Sequence, residues 1–174
     1  MLKIPENKTR KGLRITQCVL FLIEIFLCAM TYIHIPDFQD PSNDFYATVF
    51  DMLGYIGGSA GDGAANDQFA AFQSYVPFYF VFLIIPIVGF FFCALDKQRN
   101  LKNFVSLFCC LSGVLSILLI VTLNYIDFGS TFALIIYLAI CFITAIAIMA
   151  RLTKDNEEDK KPKKQKVSKY DREY

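Results

Sequence analysis

Apolar residues in this chain fall into four long runs, at about 13–35, 72–95, 104–126 and 128–150, each bounded by charge or by a polar turn. A helix needs about 20 mostly apolar residues to cross a hydrocarbon core about 30 Å thick, at about 1.5 Å of rise per residue. All four runs meet that length, so the pattern predicts transmembrane helices. The expected fold class is all-α: a polytopic membrane protein built as a four-helix transmembrane bundle. Between the first two runs lies an outer loop at 36–71. Phe45, Val49, Met52, Leu53 and Ile56 recur there at helical spacing, with Asn43 or Asp44 as a cap and Gly57-Gly58 as a stop. That spacing predicts a short amphipathic helix over 44–56, lying on the membrane interface or over the bundle mouth.

Charge then orients the bundle. Lys and Arg are absent from 15–96 and from 103–150, and all seventeen cluster at 3–14, 97–102 and 151–172. The other two connections carry only acids: Asp37, Asp40, Asp44, Asp51, Asp62 and Asp67 in the outer loop, and Asp127 in a short turn. Cytoplasmic connections are the basic ones, so both termini are expected in the cytoplasm. The chain divides accordingly into a basic lead at 1–12, a four-span domain at 13–150, and a charged tail at 151–174 whose composition predicts disorder. The first run is too long for a cleaved signal, and no small-x-small site follows it, so it is expected to remain as a span.

Composition agrees with this reading. The chain of 174 residues is 55% hydrophobic and only 19% charged, with a mean hydropathy of +0.44. The six cysteines (Cys18, Cys28, Cys93, Cys109, Cys110 and Cys141) all fall in apolar runs. The outer loop has none, so no disulfide framework is implied. No CxxC pair or Cys/His cluster occurs, and neither a metal nor a cofactor is expected. Trp is absent. The claudin loop signature needs one. The Cys109-Cys110 pair falls inside a span and so does not reproduce the loop CCG of tetraspanins. The Ile/Phe/Lys/Asn-rich composition points to a bacterial cytoplasmic membrane.

Candidate chemistry centres on Glu24, near the middle of the first run. A carboxylate there costs several kcal/mol unless paired, and no Lys or Arg lies in any span at that depth. Glu24 is therefore expected to face the bundle as a neutral acid that donates one hydrogen bond and accepts others. On a helix, Gln17, Glu24, Cys28 and Thr31 would share its face. In the second run Pro86 predicts a kink that frees the carbonyl of Phe82 as an acceptor. In the third, Cys109, Ser112, Gly113 and Ser116 form a stripe of small residues that admits close packing. By depth, Ser112, Ser116 and Tyr137 fall level with Glu24. These residues compose a candidate intramembrane polar patch: Gln17, Glu24, Thr31, Ser112, Ser116 and Tyr137. In the tail, Lys160, Lys161, Lys163 and Lys164 are candidate contacts to anionic lipid headgroups. No aromatic residue interrupts that basic run, so nucleic acid is not an expected partner.

No nucleophile-base pair is apparent, so no catalytic residue is assigned. The expected function is non-enzymatic: an accessory or scaffold subunit acting through intramembrane and loop contacts. Its expected partners are the lipid bilayer and another membrane protein or a second copy of itself. The alternative is a small proton- or cation-coupled transporter using Glu24. A membrane enzyme built on His34, Asp37 and the outer acids is the third and weakest reading.

Overall fold

The computed structural model describes residues 8–36, 42, 44–54, 76–95, 101–121 and 125–160. Among them the chain is predominantly helical. Four long helices form a ring: α1 (Lys8–Leu27), α3 (Phe80–Leu95), α4 (Leu101–Ser116) and α5 (Phe128–Lys160). Each packs against the next, and α5 closes back on α1. Neighbours are antiparallel. Arg14 near the start of α1 meets Cys93 and Ala94 at the end of α3, whereas Cys28 just past α1 meets Phe82 at the start of α3. Among the described residues, two segments are long and apolar enough to cross a membrane, Leu101–Val121 and Phe128–Ala150, with mean hydropathies of 2.7 and 2.8.

Each helix turns bulky apolar side chains outward. Phe26 on α1, Phe91 on α3, Phe104 and Phe108 on α4, and Phe132, Leu138 and Phe142 on α5 are all exposed. Leaving such a side chain in water forgoes about 1.5–3 kcal/mol, and patches this extensive belong against another apolar phase. Polar groups are inside instead: Gln17, Glu24, Ser106, Ser130 and Thr144 are all buried.

The first apolar run does not continue as one helix. α1 begins at Lys8 and stops at Leu27. A short turn leads into strand β1 (Thr31–Ile35), which pairs antiparallel with β2 (Phe45–Thr48). The fold is thus helical with a two-stranded sheet, where the hydrophobic pattern had predicted helix alone. The segment TYIHI is rich in β-branched and aromatic residues, which suit a half-buried strand, and Pro36 follows it. Register pairs Ile33 with Ala47, His34 with Tyr46 and Ile35 with Phe45. Ile33 also bridges to Ile126, and the His34 amide donates to the Tyr125 carbonyl, so the sheet clasps the turn before α5.

The amphipathic helix expected over 44–56 is shortened in the same way, because 45–48 is strand and only α2 (Val49–Gly54) is helical. Its cap is Thr48, not Asn43 or Asp44. The Asp51 amide donates to Thr48 Oγ1 at 3.0 Å, and the Thr48 amide donates to Asp51 Oδ2 at 2.9 Å, a reciprocal capping box. The Gly/Ala-rich half of the outer loop lies outside the described residues. A 3-10 turn, Val76–Tyr79, leads into α3, and a π-helical turn, Ile117–Val121, extends α4. α5 runs on through Lys160, so the part of the tail at 151–160 that composition assigned to disorder is helical. Lys161, Lys163 and Lys164 lie outside the described residues.

Two glycines set the helix spacing. A Cβ on Gly89 of α3 would overlap the Phe21 ring of α1, and one on Gly113 of α4 would come within 2.5 Å of the Tyr137 ring of α5. Gly54 has open space around it. Valine at Gly89 or Gly113 is therefore expected to cost about 1–3 kcal/mol through overpacking. Unfolding of the detergent-solubilised protein should register both losses, with Gly54→Ala nearly silent.

Candidate functional site

The site is built on one face of α1. Arg14, Gln17, Phe21, Glu24 and Cys28 follow one another at alternating steps of three and four residues, and all five are buried. This spacing makes a continuous stripe on a helix. Here the stripe is more polar than apolar and faces the centre of the ring.

Glu24 is 2% exposed. Its carboxyl lies within Coulombic reach of Cys28, of Tyr32 on β1, of Cys110 on α4 and of Tyr137 on α5. Glu24 Oε1 accepts no hydrogen bond among the described residues, and neither the Tyr79 hydroxyl nor Gln17 Oε1 has a partner there. Thiol and phenol groups thus stand near a buried carboxyl. Such a group can exchange a proton or hold a small cation, and it can equally serve as a packing hydrogen-bond donor. Above it, Tyr32 and Tyr79 flank Phe82 with ring centroids at 5.1 and 5.3 Å, forming an aromatic roof beneath the sheet.

The sequence-predicted patch separates into parts. Tyr137 joins Glu24, its ring seated against Gly113. Gln17 lies further along α1 and donates from Nε2 to Thr144 Oγ1 at 2.8 Å; Thr144 Oγ1 donates in turn to the Ile140 carbonyl at 2.7 Å. Thr31 leaves the stripe altogether, because it sits on β1 and is exposed. Ser112 is half-buried and lines an apolar groove of about 370 Å³ between α3 and α4, alongside Val88 and Phe108. Ser116 is half-buried on the last turn of α4. Pro86 lies within α3. The Phe82 carbonyl one turn before it accepts from the Cys28 thiol at 3.6 Å, and Glu24 is not the donor found there.

One group escaped the sequence reading, and a second was expected with another partner. The first lies at the far end of the ring. Arg14, the last residue of the basic cluster at 3–14, is buried, and its Nη1 donates to the carbonyls of Cys93 and Ala94 at 3.3 Å each. It thereby caps the last turn of α3, where carbonyls lack helical partners and a cation is favoured. Lys102, Asn103 and Ser106 are buried beside it on α4, and Cys93 Sγ shares a hydrogen bond with Ser106 Oγ at 3.2 Å. The three-four spacing of Arg14 with Gln17 and Phe21 was the available signal. The second group is on the sheet. His34 Nε2 lies 2.9 Å from Asp44 Oδ2, and its ring stacks on Tyr46 at 4.4 Å. Asp37, the acid nearer in sequence, lies outside the described residues. No group of three or more His, Cys, Asp or Glu side chains suited to a metal occurs among the described residues.

Compared with known proteins, the chain matches no family model, no curated protein and no solved structure.

Thr144→Val should strand the buried Gln17 amide and cost about 1–3 kcal/mol. Thr144→Ser should keep the hydrogen bond and most of the stability. Thermal unfolding in one detergent compares the two, and equal losses would mean that the amide contributes nothing.

Proposed function

We propose that the chain is a four-span integral membrane protein that acts as a non-enzymatic accessory or scaffold subunit. Both termini face the cytoplasm in this reading, and the sheet with α2 forms the outer cap. Its support begins with the exterior. All four helices turn bulky apolar side chains outward, the arrangement a hydrocarbon phase favours. The segregation of basic residues to three of the connections sets the orientation. α1 and α3 are shorter in apolar length than α4 and α5, and in this reading they reach the interfaces through Arg14, the 3-10 turn and the sheet.

The observation that carries the accessory reading is the packed interior. Phe21 fills the notch at Gly89, and Tyr137 fills the one at Gly113, so aromatic rings occupy the level of Glu24. A bundle closed there is suited to rigid contact with a neighbour more than to passage of a solute. The partner is another membrane protein or a second copy of this chain, in a cytoplasmic membrane. Purification in native nanodiscs followed by mass spectrometry of the intact assembly tests this. A stoichiometric second subunit is the expected result; a monomer that captures nothing would count against it.

A second reading rests on Glu24 Oε1, which is buried and without a hydrogen-bond partner among the described residues. A carrier coupled to protons or small cations needs such a group near mid-membrane. Under that reading Glu24→Gln abolishes pH-driven flux in proteoliposomes. Under the accessory reading the same variant retains its fold and its partner, because glutamine keeps the hydrogen-bonding capacity and lacks only the titration.

A further inference from the structure

The chain's one histidine stands where the sheet meets the ends of the helices. β1 is held on both edges. On one, His34 pairs in register with Tyr46 of β2; on the other, its amide donates to the Tyr125 carbonyl at 3.1 Å. The same junction ties in three helix ends. The Val49 amide, at the start of α2, donates to the Cys28 carbonyl just past α1 at 3.1 Å. A Cβ on Gly129, in the first turn of α5, would stand 2.6 Å from the Thr31 carbonyl oxygen. What holds β1 to β2 therefore also holds α2 and the start of α5 against the end of α1.

The His34 side chain adds a contact of its own. Its Nε2 lies 2.9 Å from Asp44 Oδ2, and its ring lies on the Tyr46 ring at 4.4 Å, 5° from parallel. Charge at the junction is one-sided. Lys and Arg are absent from 15–96 and from 103–150. β2 with its approach, α2 and the turn before α5 bring Asp44, Tyr46, Asp51, Tyr125 and Asp127; the strand and the end of α1 add Tyr32 and Cys28. None of these carries a positive charge in either of its states. A proton on His34 thus sets a cation among acids and phenols. The His34 and Asp44 side chains are 31% and 20% exposed, so water delivers that proton directly. Imidazole is the side chain whose charge ordinarily changes between about pH 5 and 8.

We propose that His34 and Asp44 form a proton-operated latch, in which protonation of the imidazole fastens β1 to β2 and deprotonation loosens the sheet. The neutral ring offers Asp44 one ordinary hydrogen bond, and only in the tautomer that carries its proton on Nε2. The imidazolium always donates from Nε2, and the bond becomes charge-assisted, about twice as strong. The same charge lies over the face of Tyr46, where the ring quadrupole attracts a cation. Both gains exist only while the sheet is formed, because parting the strands separates His34 from Asp44 and Tyr46 together. The sign follows from linkage: acid tightens the sheet, and the added hold is lost as the imidazole gives up its proton. Loosening would release α2 and the start of α5 from the end of α1 and leave the four-helix ring intact. The latch stands apart from both the accessory and the carrier readings, since it needs only the sheet.

The test uses the full chain in nanodiscs. Amide hydrogen exchange is read by mass spectrometry at about pH 5.5 and about pH 8, on either side of the ordinary imidazole titration, and corrected for the intrinsic pH dependence of exchange. Peptides covering 31–35 and 45–48 should be about fivefold better protected at the lower pH, with no such change over 133–140 of α5. His34→Gln keeps a hydrogen-bond donor and loses the titration, so its sheet should be equally protected at both pH values. Asp44→Asn should lose most of the response. Equal protection of the wild-type sheet at the two pH values would overturn the proposal, as would better protection at the higher one. So would a response that survives undiminished in either variant, or one of the same size over 133–140, which would report the bundle and not the latch. The wild-type comparison decides even if a variant fails to fold.

Discussion

Phe21 against Gly89 determines how near α1 runs to α3, and much of the bundle depends on that distance. With any side chain on residue 89, the Phe21 ring would have to move. At this spacing the α1 stripe comes into reach of neighbouring helices on both sides. Arg14 attains the last carbonyls of α3, and Cys28 attains the Phe82 carbonyl. Tyr137 against Gly113 plays the same part between α4 and α5. Dispersion forces decay over fractions of an ångström, so two such notches govern packing far more than two positions' worth of area would suggest.

The outward apolar surface imposes the complementary constraint. In the membrane reading, polar side chains on these helices would have no water outside the ring and would turn inward to find partners there. Gln17 with Thr144, Ser106 with Cys93 and Arg14 with the end of α3 are three local solutions of one problem. Glu24 is the incomplete one. Its Oε1 remains without a hydrogen bond in an interior of thiols and phenols. A buried acceptor left unmade usually costs about 1–3 kcal/mol, and such a cost concentrates at positions with a task. The carrier reading draws its support from this atom, and the accessory reading from the rings packed around it.

Several features were legible before any coordinates. The four apolar runs locate the four ring helices, since hydrophobic length registers each helix regardless of its neighbours. Segregated charge distinguishes the connections. Glu24 is recognisable as an interior residue because its isolation among apolar neighbours leaves no other inexpensive place for it. The helical stop before Thr31 was less visible. A hydropathy window cannot tell a buried strand from the end of a helix, although the β-branched and aromatic content of TYIHI carried the signal. The inward turn of Arg14 was not legible, because membership of a basic cluster says nothing about which way one side chain points.

By itself, then, the amino-acid order determines the number of apolar helices and the interior position of Glu24, while several helix ends fall two turns or more from the ends of the apolar runs. That number and that position follow from local composition and periodicity, which act within a single segment. The partners of that interior were decided only by tertiary structure: Thr144 for Gln17, the α3 carbonyls for Arg14, and, of the residues expected level with Glu24, Tyr137 but not Ser112 beside it. Depth along a helix fixes which residues share a level, but not which faces meet. That choice rests on the rotation and spacing of each helix, set by Gly89, Gly113 and the sheet that clasps the ends of α1 and α5.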